Sequence, residues 1–143
     1  MERLDGRATW QVSRAHLRAY SLLQELFADA GARAYHYRLL AALDEAGAVS
    51  QAELGRVTGL DRSDVSVALS ALEKDALIMR AAHPTDRRQN LVSLTARGRD
   101  ELLRLDAVVE QAQTEFLAPL TAEERGVFLD MITRLGREPD AGS

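Results

Sequence analysis

Apolar positions along this chain keep a helical period at both ends and lose it in the middle. Between Thr9 and Ala28, Val12, Ala15, Ala19, Leu22, Leu23 and Leu26 share one helical face, which predicts a helix closed by Asp29-Ala30-Gly31. His36, Leu39, Leu40 and Leu43 predict a second helix over Tyr35 to Ala46, stopped by Gly47. Beyond Thr95 a long seam of Leu102, Leu105, Val108, Val109, Ala112 and Phe116 predicts a helix that ends before Pro119. Thr121-x-x-Glu124 is a capping box and opens a last helix with Val127, Phe128, Met131, Ile132 and Leu135 on one face. The tail from Arg137 to Ser143 reads as frayed.

The middle of the chain is built from shorter pieces. Ser50-x-x-Glu53 predicts a short helix begun by a capping box, each side chain meeting the other's backbone amide, and Thr58-Gly59-Leu60 breaks it. Asp61 caps the next helix, and Asp64 sets a second carboxylate at its amide-rich end. That helix buries Val65, Leu69 and Leu72 and turns Arg62, Ser63, Ser66, Val67 and Ser70 away from the core. Leu77 to Ala82 and Leu91 to Leu94 read as strands, joined by an eight-residue segment from His83 to Asn90 in which Pro84 and Asp86 favour a turn.

Short helix, glycine turn, short helix and projecting hairpin make a winged helix-turn-helix, a device for placing one helix in a DNA major groove. The fold class is therefore mainly α with a small β-hairpin wing: a winged helix-turn-helix plus a helical region. Gly55 supplies a small residue where the two helices approach, Gly59 accepts a positive φ in the turn, and Leu54, Leu60, Val65 and Ala68 join the pair. The outward face offers Arg62, a guanidinium that suits a guanine edge, with Ser63, Ser66 and Ser70 as short donors. Asp64 is repelled by phosphate there and reads better as part of the helix cap, with a cytosine amine as the alternative. At the hairpin tip Arg87 and Arg88 suit a narrow minor groove, and Asp86 pairs with an arginine to hold the tip's shape.

Charge changes this picture in one respect. The 143 residues carry a formal net charge of −4, which argues against a polyanion partner until its distribution is considered. Residues 50–99 hold eight basic and six acidic side chains, whereas residues 100–143 hold four and ten. Arg80, Arg87, Arg88, Arg97 and Arg99 face a single acidic residue, Asp86, between positions 80 and 99. A basic window in an acidic chain fits local phosphate contact. With 46% apolar residues the chain can build one domain and a core, and the cysteine count of zero excludes thiol sensing, disulfides and thiolate metal sites. His16, His36 and His83 are scattered and make no metal-ligand spacing, so neither metal nor cofactor is expected. Glu2 to Ala28 mixes charge throughout, so neither a leader nor a membrane span is expected, and a cytoplasmic location is the plain reading. An enzyme has no support: there is no Gly-rich phosphate loop, no His-Glu-x-x-His, and the Ser and Asp residues sit at caps.

Pro84-Thr85-Asp86-Arg87-Arg88 followed by Leu94-Thr95-x-x-Gly98, behind a helix-turn-helix, resembles the MarR family of bacterial transcriptional regulators. The resemblance implies a homodimer, formed by the first, fifth and sixth of the expected helices, on a pseudo-palindromic double-stranded DNA operator. Residues 1–34 and 95–143 would then be the helical dimerisation region and 35–94 the DNA-binding domain. It further implies repression, with release by a small aromatic or phenolic ligand held between the dimer helices and the winged domain. Trp10, Arg14, His16, Tyr20 and His36 are the ligand candidates, an aromatic wall in which Arg14 would meet an anionic group. Trp10 and Tyr20 as packing aromatics, and His36 as a satisfied buried histidine, remain the alternative. The rival functions are a winged-helix module for protein contact and a DNA-binding protein that answers to no ligand.

Overall fold

The computed structural model describes residues 1–139, so the last four residues of the expected frayed tail lie outside the described residues. The elements run α1 (Glu2–Asp5), α2 (Ala8–Asp29), α3 (Ala34–Ala46), β1 (Val49–Ser50), α4 (Gln51–Thr58), α5 (Arg62–Lys74), β2 (Ile78–Ala82), β3 (Asn90–Leu94), α6 (Ala96–Phe116) and α7 (Ala122–Gly136). The expected helices and the hairpin are all present, within a residue or two of their sequence boundaries. Two elements are additional. The single turn α1 precedes α2, and β1 makes the wing a three-stranded antiparallel sheet in the order β1-β3-β2. Val49 pairs with Val92 and Ser50 with Leu91, so β1 ties the start of α4 to the wing.

One core runs through the winged region and into the long helices. Leu39, Leu40 and Leu43 of α3, Leu54 of α4, Val65, Leu69 and Leu72 of α5, Ile78 of β2 and Val92 of β3 are essentially solvent-free. Phe27 of α2 and Leu102 and Leu105 of α6 extend the same cluster. Burying each such side chain stabilises the fold by roughly 1.5–3 kcal/mol before chain entropy is counted.

Helices α2 and α6 lie antiparallel, held at both ends by arginines. Arg18 donates to the carbonyls of Phe116 and Glu115 at 2.8 and 3.0 Å and lies over the Phe116 ring, which satisfies the open end of α6. Arg104 donates to the Ala30 carbonyl at 3.0 Å where α2 ends. The winged region is fastened to α6 through α3. Tyr37 packs on Phe27 and donates its hydroxyl to Asp106 Oδ1 at 2.8 Å, and Asp44 faces Arg99 at 3.4 Å. Burial and the Asp106 contact push the Tyr37 phenol up to about 12.

Helix α7 contributes no buried residue, although the Thr121–Glu124 capping box is formed in both directions. It meets α6 through Phe128 edge-on to Phe116. Val127, Leu129, Met131 and Leu135 stand exposed along it, as do Val12, Leu17 and Tyr20 on α2. Val12, placed on the inner face of its helix by periodicity, is thus 47% exposed in a single chain.

Glycine 98 explains the Leu-Thr-x-x-Gly restart. A Cβ there would lie 2.0 Å from the Leu77 carbonyl oxygen and 2.7 Å from the Leu94 side chain. Around it, Thr95 accepts from the Gly98 amide at 3.0 Å and donates its hydroxyl to the Ala76 carbonyl at 2.7 Å. The first turn of α6 is therefore seated directly on the α5–β2 connection, and only hydrogen fits between them.

Candidate nucleic-acid interface

The helix-turn-helix is formed by α4, Gly59 and α5. Gly59 takes a left-handed conformation (φ 70°, ψ 14°) that a side chain would strain, and its amide closes α4 on the Gly55 carbonyl. Buried Thr58 donates its hydroxyl to the Leu54 carbonyl at 2.7 Å. Gly55 lies where the two helices approach, as its sequence position implied. A Cβ there would sit 3.6 Å from the Leu60 carbonyl and 3.7 Å from Val65, ordinary contact distances that alanine meets. Smallness is required at Gly55, and glycine is not.

One cap differs from its sequence reading. Ser50 accepts from the Glu53 amide at 3.1 Å, but the reciprocal half of that box is missing. Glu53 instead turns to Arg56, whose Nε donates to it at 2.9 Å, and this pair holds the Glu53 carboxyl below its ordinary range. Asp61 caps α5 by accepting from the Asp64 amide at 2.8 Å. Asp64 joins that cap through its backbone, and its carboxylate lies in the first turn without a reciprocal bond.

Arg62, Ser63 and Ser66 are exposed on the outer side of α5. They share an open groove of about 650 Å³ with Arg88, Gln89 and Asn90 of the wing. The structure therefore brings together the recognition-helix donors and one of the wing arginines on one surface, although no cavity encloses them. Ser70 is exposed too, but its hydroxyl is occupied. It donates to the Ser66 carbonyl at 3.0 Å and accepts from Arg80 at 3.4 Å. Arg80 also grips Glu73 at 3.1 Å, so a strand of the wing is braced against the recognition helix and the Glu73 carboxyl is held below its usual range.

The wing tip is shaped by two acceptors. Asp86 Oδ1 accepts from the Arg88 amide at 3.0 Å and faces its Nε at 3.4 Å, while Oδ2 accepts from Gln89 at 3.2 Å. The Arg88 side chain remains 92% exposed, so Asp86 orders the backbone and meets the guanidinium through its Nε while the rest of that group faces solvent. Arg87 is exposed beside it. The second acceptor is His83, which sequence reasoning weighed only as a metal ligand. Its Nδ1 accepts from the amides of Thr85 and Asp86 at 3.2 and 3.1 Å. A histidine just before Pro-x-Asp is the available signal, since such a ring can close a turn as an Asx side chain does.

The ligand candidates do not converge within one chain. Trp10, Arg14, His16 and Tyr20 follow one another along α2, where His16 stacks on Tyr20 with ring centres 6.1 Å apart. Arg14, His16 and Tyr20 are exposed, and Trp10 has a buried Nε1 without a hydrogen-bond partner. His36 lies on α3, half-buried. Burial and the charge of Arg33 hold it below its ordinary value, against an opposing pull from Asp75. Among the described residues, no group of His, Cys, Asp and Glu is arranged to hold a metal ion, and no helix is long and apolar enough to cross a membrane.

An exposed recognition helix braced against an arginine-tipped hairpin defines the class: a winged helix-turn-helix protein. Residues 32–89 match the model of the MarR family. A putative transcriptional regulatory protein for the hcr operon of Thauera aromatica is 31% identical over 71% of this chain, which is 61% of that relative and so less than two thirds of its length. Among solved structures, a probable transcriptional regulator from Pseudomonas aeruginosa superposes with a TM-score of 0.80 and 32% identity, covering 92% of this chain and 98% of that one. The PcaV transcriptional regulator of Streptomyces coelicolor, in complex with its natural ligand, has a TM-score of 0.76 and 29% identity over 98% and 96% of the two chains. This chain belongs to the MarR family of transcriptional regulators, which are not enzymes.

Proposed function

We propose that two copies of this chain bind one pseudo-palindromic operator in double-stranded DNA and repress transcription there, and that a small aromatic or phenolic compound releases them. The observation that carries the DNA-binding part is the shared groove. Arg62, Ser63 and Ser66 at the start of α5 and Arg88 at the wing line one groove, which supports a docking in which the helix enters a major groove and the hairpin reaches the neighbouring minor groove. In this reading Arg62 seeks a guanine edge, Ser63 and Ser66 contact base edges or phosphates, Arg87 binds phosphate and Arg88 enters the minor groove. Ser70 acts through Arg80, bracing the helix, more than through DNA. The exposed guanidinium of Arg88, oriented by Asp86, disfavours the protein-contact alternative, which has no use for an ordered basic tip.

Homodimerisation through residues 1–34 and 95–143 is supported by the exposed apolar side chains of α2 and α7. Ligand release rests on the ligand-bound Streptomyces relative and on Trp10, Arg14, His16 and Tyr20 lying on α2, where a second copy would complete a pocket, with His36 at its edge.

The test is a fluorescence-anisotropy titration at several salt concentrations against DNA from the intergenic region upstream of the protein's own gene, with and without a panel of phenolic acids. Arg88→Ala should weaken binding by about tenfold or more and lower the slope of log affinity against log salt by about one per arginine removed, with the oligomeric state unchanged. Unchanged affinity in that variant removes the wing from the mechanism. Binding that is tight but indifferent to the whole panel favours a ligand-independent DNA-binding protein.

A further inference from the structure

We infer that Val67 reads the C5-methyl group of a thymine in each operator half-site, an assignment that rests on the DNA-binding reading above and adds a base to it. Val67 is 68% exposed, whereas Val65, Ala68, Leu69 and Leu72 of the same helix are at most 4% exposed. It is the one large apolar side chain that α5 turns to solvent, and it contributes nothing to the core. It stands one helical turn beyond Ser63 and three residues before Ser70, within the outward strip of Ser63, Ser66 and Ser70. Its Cα is about 7.5 Å along the axis from Arg62, in the second turn, which is still within reach of base edges when a helix enters by its N-terminus.

Chemistry then narrows the partner. The isopropyl group neither donates nor accepts a hydrogen bond, so against a base edge made of donors and acceptors it would desolvate polar atoms and return nothing. The major-groove edge of DNA carries a single apolar group, the thymine methyl. A β-branched side chain in a helix is also nearly fixed at χ1, so Val67 presents its methyls in one orientation without losing further rotamer freedom on binding. The flanking groups suit such a contact. Ser63 and Ser66 can hold adjacent polar edges, and the hydroxyl of Ser70 is already turned back to the Ser66 carbonyl.

The experiment selects binding sites from random-sequence duplex DNA with the full chain. In the enriched site each thymine is then replaced singly by deoxyuridine, which removes the methyl and changes nothing else on the base edge. Affinity is read by anisotropy at fixed salt for the wild type and Val67→Ala. One thymine per half-site should cost about fourfold on demethylation, the effect expected of one methyl-sized apolar contact. Val67→Ala should bind the thymine and uracil forms of that position alike. A demethylation effect that persists in Val67→Ala overturns the assignment, as does an enriched site in which no thymine methyl matters. A shift of the monomer–dimer equilibrium in Val67→Ala, seen by sedimentation, would place the side chain in a protein contact instead. If no sequence is enriched at all, the operator reading itself fails, and the methyl contact with it.

Discussion

At Gly98 the backbone of α6 comes so close to the α5–β2 connection that a single added carbon meets the Leu77 carbonyl at 2.0 Å. The neighbour is backbone and cannot swing aside, so Gly98→Ala should destabilise the protein by about 3 kcal/mol, measured by urea unfolding. Ala76, on the other side of the same contact, sits at φ 60° where glycine is usual. Ala76→Gly should relieve that strain and raise stability by about 1 kcal/mol, and a loss in the same unfolding assay would mean the left-handed turn is not strained. The sequence marked Gly98 as part of a family signature but showed no reason for it, because the reason lies in a segment about twenty residues away. Ala76 was silent, since nothing local distinguishes it from any other alanine. Asp61 and Thr121 were readable as caps because their partners are three residues along the chain. Glu53 was misread for an equally local cause: Ser50 and Arg56 lie three residues to either side of it, and the charged partner wins.

The elements that periodicity marks strongly, α2, α3, α5, α6 and the hairpin, emerged close to their expected bounds, because each buries one regular face. β1 did not, being two residues whose extended form is imposed by backbone pairing with β3 rather than by any pattern of their own. The wing shows what such pairing leaves to side chains. Its tip is closed by His83 accepting from two amides and by Asp86 accepting from a third. His83→Ala removes the first of these and leaves the buried core untouched. DNA affinity should fall by about three- to tenfold through loss of wing order, while the thermal midpoint stays within a few degrees. Full affinity in His83→Ala would show that the hairpin holds its shape without the ring.

For the molecule as a whole, the shape of one chain is unfinished. α7 is well capped yet has no fully buried residue, and its Val127, Leu129, Met131 and Leu135 together with Val12, Leu17 and Tyr20 of α2 are exposed. Periodicity marked Val12 and the α7 positions Val127, Met131 and Leu135 as apolar, but Leu17 and Tyr20 fell outside the face it drew on α2, and it carries no information about a partner outside the chain. The proposed ligand site is subject to the same limit, since residues along α2 become a pocket only if another surface closes over them. A second copy related by two-fold symmetry covers such a face and sets two recognition helices one turn of DNA apart, roughly 34 Å. The measurement that tests this most directly is binding stoichiometry on duplexes carrying one or both halves of the selected site, by anisotropy together with analytical ultracentrifugation. Two chains on the complete site, with at least a hundredfold weaker binding to the isolated half, is the predicted result. One chain per duplex, or no preference over competitor DNA, would contradict the account at its centre.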